Sequence, residues 1–377
     1  MDHPAGVRVS KQEKTGEAVN RAAMAEPLGI AIIGTGYIGR GAHLTAFRKM
    51  QEEGLVRIAA LCDVDPEALT AAAALAPGAR IFADYREMLA SDGINAVDVC
   101  TPNYLHKQPV LDSFAAGKHV LCEKPLAINA AEGAEMVAAG RAAGRQFGVG
   151  LNMRFGAGAQ AIKRFVDDGR IGDIYYARAH ALRRRGIPGW GQFTQKDKQG
   201  GGPLIDIGVH ILDMTLWLMD HPEPVSVSGQ TYVKFGTREG VLGLRGQWDP
   251  KTFTVEDFAA GFVRFANGAT LSLESSFAAN IGADQFGTSL MGTEGGAYLD
   301  PLNDANTRLF REESGTLTDT TLVFLPKANT HEAELRAFVR ALQEGTPVPV
   351  PGEQGLRVTR ILDALYLSAE TSREVLL

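Results

Sequence analysis

Two hydrophobic rhythms divide the chain. Between residue 28 and about residue 150, short apolar runs alternate with stretches in helical spacing. The runs predict strands over 30–33, 56–61, 80–82, 96–100, 119–122 and 146–150. The spacing between them predicts a helical turn over 85–90 and a helix over 132–143. The run at 96–100 is apolar throughout except for Asp98. Strands alternating with helices in this way predict an α/β fold with a doubly wound parallel sheet, which binds its ligands at the carboxyl ends of the strands. After Ile174 the rhythm changes. Longer runs over 174–184, 225–234, 258–265, 270–277 and 285–291 predict a second, mainly antiparallel sheet, with Asn267-Gly268 as a hairpin turn. Helical spacing returns over 331–343 and 353–372, where Leu335, Phe338, Val339 and Leu342 mark one face. The division this suggests is a loose extension over 1–27, a parallel α/β domain over 28–150 and an α+β domain over 151–377.

A chain of 377 residues is long for a single core, in keeping with two domains. Its 45% apolar and 22% charged residues are ordinary for a globular protein and give no sign of large-scale disorder. The net charge of -6 argues against a nucleic-acid surface, because phosphate binding needs a basic face. No apolar run has the length needed to cross a bilayer. The first 27 residues lack the apolar core of an export signal and carry no twin arginine, and Met24 offers an alternative start just before the first strand. Cys62, Cys100 and Cys122 each fall near the end of a predicted strand and show no CxxC spacing. They read as small packing residues in a reducing cytoplasm, with no metal or redox role.

The first strand runs into Gly34-Thr35-Gly36-Tyr37-Ile38-Gly39. Gly34 permits a tight turn, Gly36 lets the backbone approach a pyrophosphate, and Gly39 lets helix and strand pack closely. The helix start behind the loop offers free N–H groups to the phosphates. Alone the pattern is weak; its context strengthens it. The second strand ends at Cys62-Asp63, about 24 residues beyond Gly39, near the offset expected for the acid that binds the adenosine ribose. Its charge repels a 2′-phosphate and no Arg or Lys follows immediately, so NAD is expected over NADP. Asp65, just before Pro66, is the better-placed cap of the next helix. Candidate cofactor contacts are therefore Gly34, Gly36, Tyr37, Ile38, Gly39 and Asp63. Thr101, Pro102, Asn103 and His106 join them after the fourth strand, and Glu123 and Lys124 after the fifth.

Chemistry concentrates in three segments. Glu123-Lys124-Pro125 follows a buried strand and aims a lysine at the crevice. Asn152-Met153-Arg154-Phe155 follows the last strand of the first domain. Gly200-Gly201-Gly202-Pro203 feeds a largely apolar helix that carries Asp206, His210 and Asp213 on neighbouring turns. A buried Asp-His pair must be offset by pairing or by function. The glycine fingerprint, Glu-Lys-Pro and the Gly-Gly-x-x-x-Asp-x-Gly-x-His-x-x-Asp stretch, in this order, resemble the glucose–fructose oxidoreductase/inositol dehydrogenase/MocA family. The likeness extends to Asp168-Gly169-Arg170-Ile171-Gly172-Asp173-Ile174.

The resemblance implies a catalytic trio of Lys124, Asp206 and His210, with Arg154 near the substrate. Lys124 and His210 would serve as acid/base groups and Asp206 would orient His210. It also implies an open sheet with helices on one face and a homo-oligomer, dimer or tetramer, formed through the other. Relatives further suggest a C-terminal tail that packs back on the first domain and a cis Lys124-Pro125 bond. A metal held by Asp206, His210 and Asp213 is the competing geometry, unsupported by any further His or Cys cluster. Arg183-Arg184-Arg185 and Trp190 are candidate pocket residues, since an indole packs on sugar C–H groups and Arg bonds hydroxyls. The expected activity is oxidation of a secondary hydroxyl of a sugar or cyclic polyol by NAD. The competing readings are an enzyme that keeps NAD bound through a sugar-to-sugar cycle and a non-catalytic dinucleotide sensor.

Overall fold

The computed structural model describes residues 26–377, and the extension read over 1–27, with Met24, lies almost wholly outside them. The first sheet is built from β1 (Leu28–Ile33), β2 (Val56–Cys62), β3 (Arg80–Phe82), β4 (Ala96–Val99), β5 (His119–Glu123) and β6 (Phe147–Gly150), in the order β3-β2-β1-β4-β5-β6. Every pair is parallel. The near-continuous apolar runs of β1, β2 and β4 follow from that arrangement, since helices cover both faces of the sheet. The strand order reverses between β1 and β4, and the crevice for a ligand opens there.

The second sheet holds nine strands, in the order β14-β13-β12-β11-β7-β10-β9-β8-β15. The pattern anticipated five of them: β7 (Ile174–Leu182), β8 (Pro224–Tyr232), β9 (Phe258–Phe265), β10 (Thr270–Ser276) and β11 (Gln285–Gly292). It missed β12 (Gly296–Leu299), β13 (Arg308–Glu313), β14 (Thr316–Thr321) and the terminal β15 (Val375–Leu376). β7 and β10 pair in parallel, and the other pairs are antiparallel. Asn267-Gly268 turns between β9 and β10, with Gly268 at φ +85° as the turn requires. On β7, Ala177, Ala179 and Ala181 are buried beneath the helices. The register places Tyr176, Tyr232, Met291, Phe310 and Leu317 together on the opposite face.

The two C-terminal helices, Thr330–Glu344 and Gly352–Thr371, tie the halves together. Leu335, Phe338 and Val339 of the first join Ile30, Ile32, Phe47 and Met50 in one core beside the parallel sheet. The second lies so close to β8 and β9 that a Cβ on Gly229 or Gly261 would come within 2.5 Å of Leu365. Among the described residues no helix is long and apolar enough to cross a membrane.

One expected site residue belongs instead to the core. Arg154 is 2% exposed and Asp213 1%. The guanidinium pairs with that carboxylate through both Nε and Nη2, and Nη1 donates to Gln354. All three guanidinium nitrogens of Arg154 are therefore engaged inside the protein, and the Asp213 carboxylate is engaged with Arg154. Burial pushes the Asp213 carboxyl upward, and the guanidinium opposes that. Removing one partner leaves the other charged and dry. We expect Asp213→Ala to cost about 3–5 kcal/mol in urea unfolding. A loss below about 1 kcal/mol, as at a solvated pair, would show that the pair is not an anchor.

Candidate active site

At the carboxyl end of β1 the backbone is shaped by its glycines. Gly34 has φ +93°, and a Cβ there would sit 2.6 Å from the carbonyl of Cys100. A Cβ on Gly39 would fall 2.0 Å from the Gly34 carbonyl, so only glycine lets the helix start this close to the turn. Gly36 is exposed and has open space above it, which is where a pyrophosphate needs the backbone bare. A helix over 37–52 follows, its N-terminal N–H groups at the same opening. Tyr37 is exposed beside the loop and Ile38 is half-buried. Asp63 is fixed by the loop: Oδ2 accepts from Thr35 N at 2.6 Å and Oγ1 at 3.1 Å, and Oδ1 accepts from Asp65 N at 3.0 Å. Its remaining lone pairs stay available for ribose hydroxyls. Asp65 caps the next helix by accepting from Glu67 N, as read from the sequence. The cradle thus fits a dinucleotide.

The loops after β4 and β5 are stapled together. His106 is fully buried, and its ring nitrogens each lie 2.9 Å from a carbonyl, those of Thr101 and Pro125. It holds the loops in place and is too deep to touch a cofactor itself. Asn103 donates to Gln199 Oε1 at 2.7 Å, which joins this rim to the other half, while Pro102 stays exposed and Thr101 half-buried. Glu123 also points inward. Its Oε1 meets His43 Nε2 at 2.9 Å and its Oε2 accepts from Lys124 N. It acts on the cofactor side only through its neighbours. The Lys124-Pro125 peptide is cis.

Lys124 reaches across the crevice. Its Nζ donates to Asp206 Oδ1 and to the Asp206 carbonyl, each at 3.0 Å. Asp206 lies in a wide π-helical turn, Leu204–Gly208, which leads into the helix Val209–Leu218 with His210 in its first turn. Arg183 Nη1 stands 3.7 Å from Asp206 Oδ2. The carboxylate is therefore engaged by two cations, and it does not orient His210 as expected. The trio converges, but Asp206 pairs with the lysine. Burial works to raise the Asp206 carboxyl, and the charges of Lys124 and Arg183 with the Lys124 hydrogen bond outweigh it and lower it. His210 is pushed down to about 3, by burial first and then by the charge of Lys124. Its Nδ1 has no partner among the described residues. The imidazole is neutral, and this nitrogen is buried.

Glu256, beside Asp257 just before β9, lies in no recognisable motif. It accepts from Gly202 N at 2.9 Å, Leu204 N at 3.1 Å and Tyr366 OH at 2.8 Å. It thereby fixes the glycine loop from which the π-turn starts. Trp190 is 55% exposed and meets Phe193 edge-on at 6.3 Å. Asp206, His210 and Asp213 do not assemble as metal ligands, because Asp213 serves Arg154.

Residues 28–151 match the family profile described as "Oxidoreductase family, NAD-binding Rossmann fold", and residues 163–377 match "Oxidoreductase family, C-terminal alpha/beta domain". The chain is 36% identical over 351 residues to the D-glucoside 3-dehydrogenase of Escherichia coli K12, covering 93% of this chain and 97% of that protein. Among solved structures, a levoglucosan dehydrogenase in complex with NADH and L-sorbose superposes with a TM-score of 0.81 at 25% identity, covering 93% of this chain and 99% of the other. The aldose-aldose oxidoreductase from Caulobacter crescentus, complexed with glycerol, superposes with a TM-score of 0.77 at 27% identity, covering 93% and 100%.

Burial of neutral imidazoles makes stability depend on pH. His210 and His221 are each lowered to about 3, burial being the first cause of both. Unfolded, both return to the ordinary histidine value of about 6.5. Below that value the unfolded chain binds more protons than the folded one, so stability falls as pH drops from about 6.5 toward 3. We expect the urea midpoint to decline between pH 7 and pH 5, and less steeply in His210→Gln. Identical pH slopes in the two proteins would contradict the burial of a neutral His210.

Proposed function

The chain belongs to the glucose–fructose oxidoreductase/inositol dehydrogenase/MocA family of NAD-binding oxidoreductases, and on that premise we propose that it oxidises a secondary hydroxyl of a sugar or cyclic polyol through Lys124, Asp206 and His210. Bound NAD supplies the acceptor for the hydride that leaves the carbon. The reading rests on one observation above the rest: Lys124 Nζ is held 3.0 Å from Asp206 Oδ1, close enough to His210 for its charge to bear on that neutral imidazole.

The residues divide the work by their charge. The Lys124 ammonium donates to the substrate hydroxyl oxygen and stabilises the negative charge that grows there. Asp206 keeps the ammonium aimed. His210, neutral and unpaired, takes the hydroxyl proton. The charge of Lys124, which after burial holds His210 down, is offset as negative charge grows on the substrate oxygen. Arg183 beside Asp206 and Trp190 at the rim supply donors and an apolar face for a pyranose. The likeness to the glucoside 3-dehydrogenase makes a glucoside, oxidised at C3, the first substrate to try. A second reading, with NAD retained through a sugar-to-sugar cycle, is favoured by the likeness to the aldose-aldose oxidoreductase. A dinucleotide sensor has no chemical need for an assembled Lys-Asp-His trio.

We also propose a cytoplasmic enzyme, whose buried free cysteines need no oxidant. The open face bearing Tyr176, Tyr232, Met291, Phe310 and Leu317 is proposed as the contact between copies of the chain. A monomer in sedimentation equilibrium at micromolar concentration would remove that contact.

NADH formation is the assay. Purified protein with NAD is expected to reduce it with a glucoside, an anhydrosugar or an inositol. Lys124→Ala and His210→Ala should each lower kcat by roughly 100-fold or more while NAD still binds. Activity in Lys124→Ala close to the parent's would overturn the assignment. Silence across the panel, with NAD surviving desalting, would favour the retained-cofactor cycle.

A further inference from the structure

Beneath the site lies a fully buried imidazole that the proposed chemistry does not use. The π-helical turn Gly39–Leu44 belongs to the helix that starts at the glycine loop, and it carries His43 into the interior. His43 Nδ1 stands 2.8 Å from Asp98 Oδ2 on β4, and Nε2 stands 2.9 Å from Glu123 Oε1 on β5. The other oxygen of Glu123 accepts from the backbone N–H of Lys124 at 3.1 Å. One chain of hydrogen bonds thus runs from the cofactor-binding helix to the lysine segment.

The geometry points to His43 as a positioning residue, a doubly donating imidazolium that ties the helix behind the glycine loop to the segment bearing Lys124. Ionised carboxylates only accept, so an imidazole placed between two of them must carry hydrogen on both nitrogens. Such charge-assisted bonds hold direction more firmly than neutral ones. The neighbours agree. Burial disfavours the charged ring, and the charge and hydrogen bond of Asp98 more than offset it and raise His43 well above the ordinary value. Burial likewise raises Glu123, and the bond and charge of His43, with the charge of Lys124, bring it down to about 2.

Every charged or titratable group packed around the ring fits this assignment. Asp98 and Cys100 come from the β4 end, and Glu123 and Lys124 from the β5 end. Helix Thr330–Glu344 contributes His331, whose ring centre is 6.1 Å from that of His43, and Glu334. Glu334 is raised well above the carboxylate range by burial and by Glu123, so it adds no competing negative charge. His210 feels Glu123 and Lys124 from the far side and is itself neutral. Without the bond and charge of His43, burial would move Glu123 upward, toward its protonated form. It would then hold Lys124 N through a weaker, neutral acceptor.

This inference rests on Lys124 being catalytic, so its test has one arm that needs no turnover. In protein labelled with 15N-histidine, one ring at pH 8 should show both nitrogens protonated, and that signal should vanish in His43→Gln. Every histidine neutral at pH 8, or a doubly protonated ring that persists in His43→Gln, would overturn the clamp, whatever the enzyme's activity. In the kinetic arm, His43→Gln should lower kcat by roughly 10- to 100-fold, the scale of a small misplacement, with little change in KM for the sugar. Its kcat/KM profile should gain a new acid limb, which the second substitution Glu123→Gln abolishes. A profile that superposes on the parent's, once corrected for folded fraction, would reduce His43 to a packing residue. Should His43→Gln not fold, Asp98→Asn removes the other anchor of the ring and should produce the same acid limb, in smaller measure. Its absence there would equally overturn the clamp. A doubly protonated ring in a protein with no dehydrogenase activity would leave the clamp standing and sink the proposed function instead.

Discussion

The site exists because a lysine from one half of the molecule reaches a carboxylate in the other. Lys124 leaves the carboxyl end of β5, and Asp206 sits in the first turn of a helix packed on the second sheet. Neither half holds both. Most of what surrounds this pair can be understood as keeping the two ends at 3.0 Å. Glu256 and Tyr366 fix the glycine loop on the Asp206 side, and His106 staples the strand-end loops on the Lys124 side. The C-terminal helices tie the two halves together, Leu335, Phe338 and Val339 sharing a core with Ile30, Ile32, Phe47 and Met50.

Placing so many charges in a crevice requires that they cancel. His43, Lys124 and Arg183 stand among Asp98, Glu123 and Asp206, each cation beside an anion. Histidines that would add charge, His210 and His331, are held neutral by burial, and Glu334 is kept protonated. A substrate that enters such a balanced site meets oriented donors and acceptors without a large field that would favour one protonation state for every group. In the proposed oxidation, the developing alkoxide is the charge the balance leaves room for.

The first sheet was legible because strands buried on both faces leave uninterrupted apolar runs, and because Gly34, Gly36 and Gly39 answer steric demands that no other residue meets. Lys124, Asp206 and His210 were singled out by their order along the chain, which says nothing of their contacts. Asp206 was expected to serve His210, and its partner proved to be Lys124, a pairing across 82 residues that no local spacing reveals. Arg154 misled for the same reason: a strand-end arginine looks like a ligand contact until its buried counter-ion is seen. The meander β12–β14 escaped because its strands are short and half polar, with weak alternation. His43 left no signal either, since one histidine in an amphipathic helix is ordinary until two buried carboxylates close on it.

The central claim is that this crevice moves hydrogen from a ring carbon of a sugar to NAD under the control of Lys124 and Asp206. The most direct measurement supplies a reactive pyranoside carrying deuterium at one ring carbon at a time and follows the mass of the nicotinamide. The account predicts that deuterium arrives from a single ring carbon, and that the transfer is slowed to the same degree by Lys124→Ala and by Asp206→Ala. Label that never reaches the nicotinamide, or that arrives undiminished in either variant, would contradict it.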